Sequence, residues 1–273
     1  MPEDLQDDAE DIYAPPGEAT YKALRFETTH GIARLVLDRP PANVLSIDVM
    51  REINSALESL EYQREVKLVV LSAAGKYFSP GFDLSDHLGD RAYLMLEEFR
   101  RIFENLGKTD KPSLAVVAGP ALGAGSLLAA GCDIVYAAAS AKFGHPEVKG
   151  GVFNTVAAAL LPHLVGRKKA FEMILGAQSM TAGEAERVGL ITRAFPDEKL
   201  EAEVAALVQR FQDGSAVVLQ AARKAVSGGL DLPLPDAIRH AEDVYLNQLM
   251  ATEDAQEGLK AVMAKRKPVW KDR

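Results

Sequence analysis

Three glycine-bearing segments hold the residues best suited to chemistry: KYFSPGFDL over 76–84, AGPALGAGSLLAAGC over 118–132 and AKFGHPEVKGGVF over 141–153. In the first, Pro80 and Gly81 turn the backbone sharply and leave the amide of Phe82 free to point at a ligand. A surface loop built on a Pro-Gly turn reads the same way. In the second, Gly123, Ala124 and Gly125 open a small-residue helix, whose first N–H groups have no intrahelical acceptor. Those donors and the helix dipole suit an oxygen carrying negative charge. Tight helix–sheet packing is the other use of such glycines. No Gly-Lys-Ser/Thr follows, so this is not a phosphate-cradling Walker loop. In the third, Glu147 follows Pro146 in an apolar, glycine-rich stretch. A desolvated carboxylate there has a raised pKa and can move a proton, whereas an exposed loop glutamate does nothing of the kind.

The elements that must position these segments follow from the pattern around them. ALRFETTHGIARLVLDRP reads as a hairpin with His30-Gly31 as its turn and Ile32–Leu37 as a strand, ended by Pro40 and Pro41. Ser46 caps a helix to about Glu61, with Ile47, Met50, Ile53, Leu57 and Leu60 on one stripe. KLVVL (67–71), SLAVVAG (113–119) and DIVYAA (133–138) are short apolar runs, each after a helical stretch. Strands alternating with helices imply an α/β fold with largely parallel pairing, and place the first two segments at the carboxyl ends of strands, where ligands gather. Thr181 and Glu184 form a capping-box pattern, and Gly189 is placed to end that helix. Residues 1–20 are acidic and read as a mobile arm, 21–196 as the α/β core, and 197–273 as a helical region with an amphipathic stretch from Ala237 to Met250. On that stretch Ile238, Ala241, Val244, Tyr245 and Leu249 are expected to form one face.

A formal charge of −8 argues against nucleic-acid binding. Cys132 is the one cysteine, so no internal disulfide forms and a reducing, cytoplasmic setting is expected. No Cys/His cluster has metal-ligand spacing, so no metal is expected. MPEDLQDDAEDIY lacks the basic and apolar regions of a signal peptide, and no apolar run approaches the roughly 18 residues of a membrane span.

LDRPPANVLS, YFSPGFDL, GPALGAGSLLAAGCDI, FGHPEV and TAGEAERVGL, in this order from about Tyr21, resemble the crotonase (enoyl-CoA hydratase/isomerase) superfamily through nearly all of the remaining chain. FGHPEVKGGVF, LVGRKKAFE and VYLNQLMATEDAQEGLKAVMAKRKPVW resemble more narrowly the alicyclic dienoyl-CoA hydratases. The resemblance implies a crotonase-like ββα spiral core with a helical C-terminal region. It also implies that the N–H groups of Phe82 and Ala124 form an oxyanion hole for the carbonyl of an acyl-CoA thioester, with Glu147 as acid and base. CoA is then expected along Ala42, Val44, Ser79, Gly81, Phe82, Asp83 and Leu84, with Gly123 and Leu127 at the acyl group. Coenzyme A is part of the substrate, so no separate cofactor is implied. A homotrimer or homohexamer is.

Leu127 stands where hydratases of the family carry their second glutamate. A leucine neither binds nor activates water, so the two-carboxylate scheme does not carry over unchanged. Three readings stay open: hydration with another polar group holding the water, a double-bond shift by Glu147 alone, and acyl-CoA binding without turnover. Asp83, Asp86, His87 and Asn154 are the candidates for that polar group, and His145 beside Glu147 is expected to be packed. Lys76, Lys265, Arg266 and Lys267 are candidates for the CoA phosphates.

Overall fold

The computed structural model describes residues 21–273; the acidic stretch 1–20 lies outside them. β1 (Leu24–Thr29) and β2 (Ile32–Leu37) form the expected hairpin around His30 and Gly31, both at positive φ. α1 (Ile47–Ser59) starts where Ser46 accepts a hydrogen bond from the Val49 amide, and runs into a 3-10 turn over Leu60–Tyr62. β3 (Leu68–Ala73), α2 (Arg91–Lys108), β4 (Ser113–Val117), the two-residue β5 (Ala121–Leu122) and α3 (Ala124–Ala130) follow. Next come β6 (Ile134–Ala138), β7 (Lys142–Gly144), α4 (Thr155–Val165), α5 (Arg167–Gly176), β8 (Ser179–Thr181), α6 (Ala182–Arg187) and β9 (Arg193–Phe195). At α6 the Thr181–Glu184 capping box is complete.

The larger sheet has the order β1-β2-β3-β4-β6-β9, antiparallel only between β1 and β2. A second sheet, β5-β7-β8, stands at its carboxyl end, tied in by a bridge between Ser79 and Ala121. Strand alternation sorts the core into two faces. Leu35, Leu37, Val69, Leu71, Ala115 and Val117 join Met50, Ile53, Leu57, Phe99 and Ile102 of α1 and α2 in one cluster. Ile32, Leu68, Val70 and Leu114 point the other way, where Leu207 and Val208 of α7 (Asp197–Gln212) cover them.

After α7 come α8 (Ala216–Ser227), α9 (Leu234–Asp243) and α10 (Glu253–Met263). The stretch 237–250 is not one uninterrupted α-helix. Helix α9 stops at Asp243 and Val244–Leu249 wind as a π-helix. Val244 is buried while Ile238 and Tyr245 are half exposed.

These helices attach at the amino ends of the parallel strands. Arg223 donates to Asp133 (2.9 Å) and to the Leu106 carbonyl (2.9 Å). Gln220 donates to the Arg64 and Val66 carbonyls, both at 3.0 Å, and Lys67 reaches Asp272 at 3.6 Å.

One buried carboxylate joins the starts of α1 and α2. Asp86 has no exposed surface, accepts from the Ile47 amide at 2.9 Å and from Arg91 Nε at 2.9 Å. Asp86→Ala strips the acceptor from a buried amide, a loss of about 1–3 kcal/mol. A lower denaturant midpoint with unchanged slope is expected. An unchanged midpoint removes this role.

Candidate active site

Main-chain bonds sew the first donor segment to the stretch after Pro41 and to the second donor segment. The Leu45 amide donates to the Gly81 carbonyl (2.9 Å), and the Asp83 amide donates back to the Leu45 carbonyl (3.0 Å). Ala42 and Val44 are thereby carried alongside the loop from Ser79 to Leu84, although the Leu84 side chain itself is exposed. Ser79 is fully buried; its hydroxyl accepts from the Gly81 amide at 3.2 Å, and its carbonyl accepts from the Leu122 amide at 2.8 Å.

Asn43 is the residue that sequence reasoning missed. At φ 60° it turns the chain after Pro40-Pro41, accepts from the Arg39 amide (2.8 Å), and donates to the carbonyls of Ala74 and Tyr77 (2.8 Å each). The available signal was an Asn after a Pro-rich turn, since Asn tolerates left-handed backbone better than other side chains do.

Glycines set how closely the segments approach. Gly81 has φ +106°, and a Cβ built on it stands 3.2 Å from the Ala124 nitrogen. Gly123 has φ +52°, and a Cβ there stands 2.9 Å from Glu147 Oε1 and 3.7 Å from the Pro80 carbonyl oxygen. Gly125 backs directly on Ser79. The Gly123 amide is spent on the Gly144 carbonyl at 2.8 Å, which holds α3 against the strand leading to Glu147. Neither the Phe82 nor the Ala124 amide donates to another described residue. The Gly81–Phe82 turn with its unpaired amide, the Gly123–Ala124 turn with its own, and Glu147 Oε1 are therefore packed close together.

Glu147 begins a 3-10 turn (Glu147–Gly150) and is half buried. Burial lifts its pKa above the ordinary 4.5, while its own backbone amide and the Asn154 side chain pull it part of the way back. Its Oε1 is buried without a hydrogen-bond partner among the described residues. His145 is 2% exposed with both ring nitrogens unpartnered, and burial lowers its pKa to about 4. It is neutral at physiological pH, which suits packing and leaves no imidazolium beside Glu147.

Leu127 is completely buried within the main core cluster. Arg266 is taken by Glu257, which it holds down to about 2, so it is not a spare cation for phosphate. Lys76, Lys265 and Lys267 are exposed, and the Lys76 ammonium lies 5.9 Å from the Tyr77 ring centre. Among the described residues no group of three His, Cys, Asp or Glu side chains is placed to hold a metal, and no helix is long and apolar enough to cross a membrane.

A mixed sheet with donor amides at its carboxyl rim and a carboxylate beside them is the arrangement expected of crotonase-type enzymes. The chain belongs to the enoyl-CoA hydratase/isomerase family, whose sequence profile matches residues 27–273. It is 35% identical over 93% of its length to all of a probable enoyl-CoA hydratase of Rhizobium meliloti. It is also 32% identical to a cyclohexa-1,5-dienecarbonyl-CoA hydratase of Thauera aromatica, over 91% of this chain and 96% of that one. Among solved structures, human enoyl coenzyme A hydratase domain-containing protein 3 matches with a TM-score of 0.87 at 28% identity, over 91% of this chain and all of that one. The α/β fold read from the sequence is the fold of these relatives, and the chain is an enzyme of the hydratase/isomerase type.

Proposed function

We propose that this enzyme acts on an unsaturated acyl-CoA, with a cyclic dienoyl thioester as its preferred substrate class, through a thioester enolate held by the Phe82 and Ala124 amides. The supporting observation is the close approach of the two turns that carry those unpaired donors to the Glu147 carboxylate, across Gly81 and Gly123. As negative charge builds on the thioester oxygen, each amide stabilises it, a contribution of about 3–4 kcal/mol per donor in sites of this kind. Glu147 moves the proton at the α-carbon, and its raised pKa fits that exchange. The CoA moiety runs along Ala42, Val44 and the loop from Ser79 to Leu84. The likeness to the Thauera aromatica hydratase supports the cyclic substrate.

Leu127 favours a second reading. With one carboxylate, a double-bond shift needs no water at all: Glu147 takes a proton from one carbon and returns it to another. We assign no cofactor beyond the CoA carried by the substrate. The exposed Leu230, Leu234, Ile238, Tyr245 and Leu246 on and around α9 support a homotrimer or homohexamer. Buried Cys132, whose thiol burial pushes up to about 12, suits a reducing cytoplasm.

Incubation with cyclic dienoyl-, 2-enoyl- and 3-enoyl-CoA, read by mass, separates the readings. Gain of one water from the dienoyl or 2-enoyl thioester is the expected result. An isobaric product from the 3-enoyl thioester alone selects isomerisation. Tight binding with no product from any of the three makes the protein a binder and ends the catalytic reading.

A further inference from the structure

Each of the four side chains considered for holding a water has other partners. Asp86 is spent on the Ile47 amide and Arg91. Asp83 accepts from both the amide and the hydroxyl of Ser85. Asn154 caps α4, its Oδ1 accepting from the Val156 amide at 3.0 Å and the Ala157 amide at 3.3 Å. The His87 ring sits edge-on to Phe82, 5.7 Å between centres. Hydration and a double-bond shift both depend, in any case, on where the donor amides point.

The Phe82 amide is aimed by its neighbours. Leu45 and Phe82 form an isolated parallel bridge. Its two bonds run from the Leu45 amide to the Gly81 carbonyl at 2.9 Å and from the Asp83 amide to the Leu45 carbonyl at 3.0 Å. In such a bridge the partner strand bonds to the residues on either side, so the central residue turns its own N–H to the opposite edge. The position of Leu45 is thus what leaves the Phe82 amide unpaired and directs it away from the loop after Pro41.

Asn43 holds that loop in place. Its side chain is 4% exposed. Oδ1 accepts from the Arg39 amide, and Nδ2 donates to the Ala74 and Tyr77 carbonyls, each at 2.8 Å. The Asn43 amide closes the turn on the Arg39 carbonyl at 2.8 Å, and the Arg39 guanidinium donates to the Val44 carbonyl at 2.8 Å. Ala74 directly follows β3, and Tyr77 lies in the segment that leads to Phe82. One buried carboxamide therefore joins the loop carrying Leu45 to the end of β3 and to the entry of the Phe82 segment. Its oxygen meets an N–H and its nitrogen meets two carbonyls, the only orientation that satisfies all three. Backbone shape alone does not call for this side chain, since glycine also adopts a φ of 60°.

We infer that Asn43 is a positioning residue for the reaction: its side chain fixes Leu45 against the Gly81–Phe82 turn and so sets the direction of the Phe82 amide toward the thioester oxygen. The inference rests on the assignment of the Phe82 and Ala124 amides made above. Asn43 acts through Leu45 and Tyr77 rather than on the substrate.

The test is a pair of variants. Asn43→Asp keeps the size and the acceptor for the Arg39 amide, but turns a second oxygen toward the Ala74 and Tyr77 carbonyls. Asn43→Gly keeps the backbone angle, removes the side chain, and carries the test where the aspartate does not fold. Two quantities are read on folded protein, well below each melting temperature. One is steady-state turnover of whichever dienoyl-, 2-enoyl- or 3-enoyl-CoA the parent converts. The other is the infrared carbonyl stretch of a bound saturated acyl-CoA labelled with ¹³C at the thioester carbon, which hydrogen bonds to the oxygen lower. The parent is expected to shift the stretch down on binding, and each variant to lose about half of that shift, one of two donors being misdirected. Turnover is expected to fall about 10²-fold with KM little changed, because the donors act on charge that develops in the transition state. Variants that merely melt earlier, with full kcat and full shift, make Asn43 a structural turn and overturn the inference. A lowered kcat with the shift intact overturns it as well. A parent whose bound carbonyl does not shift removes the assignment of the two amides and this inference together.

Discussion

Glutamine at position 147 lowers turnover by about 10²–10⁴-fold while leaving affinity for a saturated acyl-CoA near that of the parent. The amide is isosteric with the carboxylate, so packing against Gly123 is kept, and the two donor amides are untouched. Steady-state kcat and calorimetric Kd measure the two halves of this statement. Unchanged turnover takes Glu147 out of the mechanism. A pH signature accompanies the loss. Accepting a proton requires the ionised form, so parent activity rises with pH through the raised Glu147 pKa, its acid limb displaced upward from 4.5.

Stability carries the opposite sign. The folded protein binds this proton more tightly than the unfolded chain, so the contribution of Glu147 to stability is fully present below 4.5 and is lost as pH climbs through the raised value. Glutamine cannot ionise. The variant is therefore expected to melt above the parent at neutral pH and level with it in acid.

Alanine at position 125 is the second large effect, and its sign runs against helix propensity. In an exposed helix, Gly→Ala is favourable by up to about 1 kcal/mol. Here the added Cβ falls 2.5 Å from the Ser79 carbonyl oxygen and 2.6 Å from Ser79 Cβ, with Ser79 fully buried. Neither contact is the loose end of a flexible side chain. The backbone of α3 or of the Ser79–Phe82 loop has to move, at a cost of about 1–3 kcal/mol in stability. That movement parts the Phe82 and Ala124 amides. Loss of one donor from such a pair lowers kcat by about 10²–10³-fold. Gly183→Ala in α6 is the control, because nothing lies within 4 Å of the Cβ it adds. Denaturant titration and kcat on both variants decide the matter: equal behaviour dismisses close packing at Gly125 as the device that aligns the amides.

Local signals explain what was legible beforehand. The unbroken apolar run of KLVVL marks a strand buried on two faces, and the Ser46 and Thr181 caps are short-range hydrogen bonds written in nearby residues. The three glycine segments were visible because few sequences need so many special backbone angles together. What was hidden depends on distant partners. Asn43 is tied to residues some thirty positions on, and Asp86 to Ile47 thirty-nine back. Strands β5, β7 and β8 hold two or three residues each, too few for a period to show. The π winding at Val244–Leu249 leaves no mark in composition. Asn154 could be named as a candidate, but its cap on α4 emerges only in three dimensions.

The helices contributed by the last third of the chain grip the sheet through Arg223, Gln220 and Lys67, at the rim opposite the reacting groups. Thermal tolerance and catalytic rate are thus separable engineering variables in this molecule. Substitutions that tighten the Arg223 rim share no contacts with those that reshape the acyl-binding rim, so their free energies sum when combined. A library can be hardened first at one end and diversified afterwards at the other.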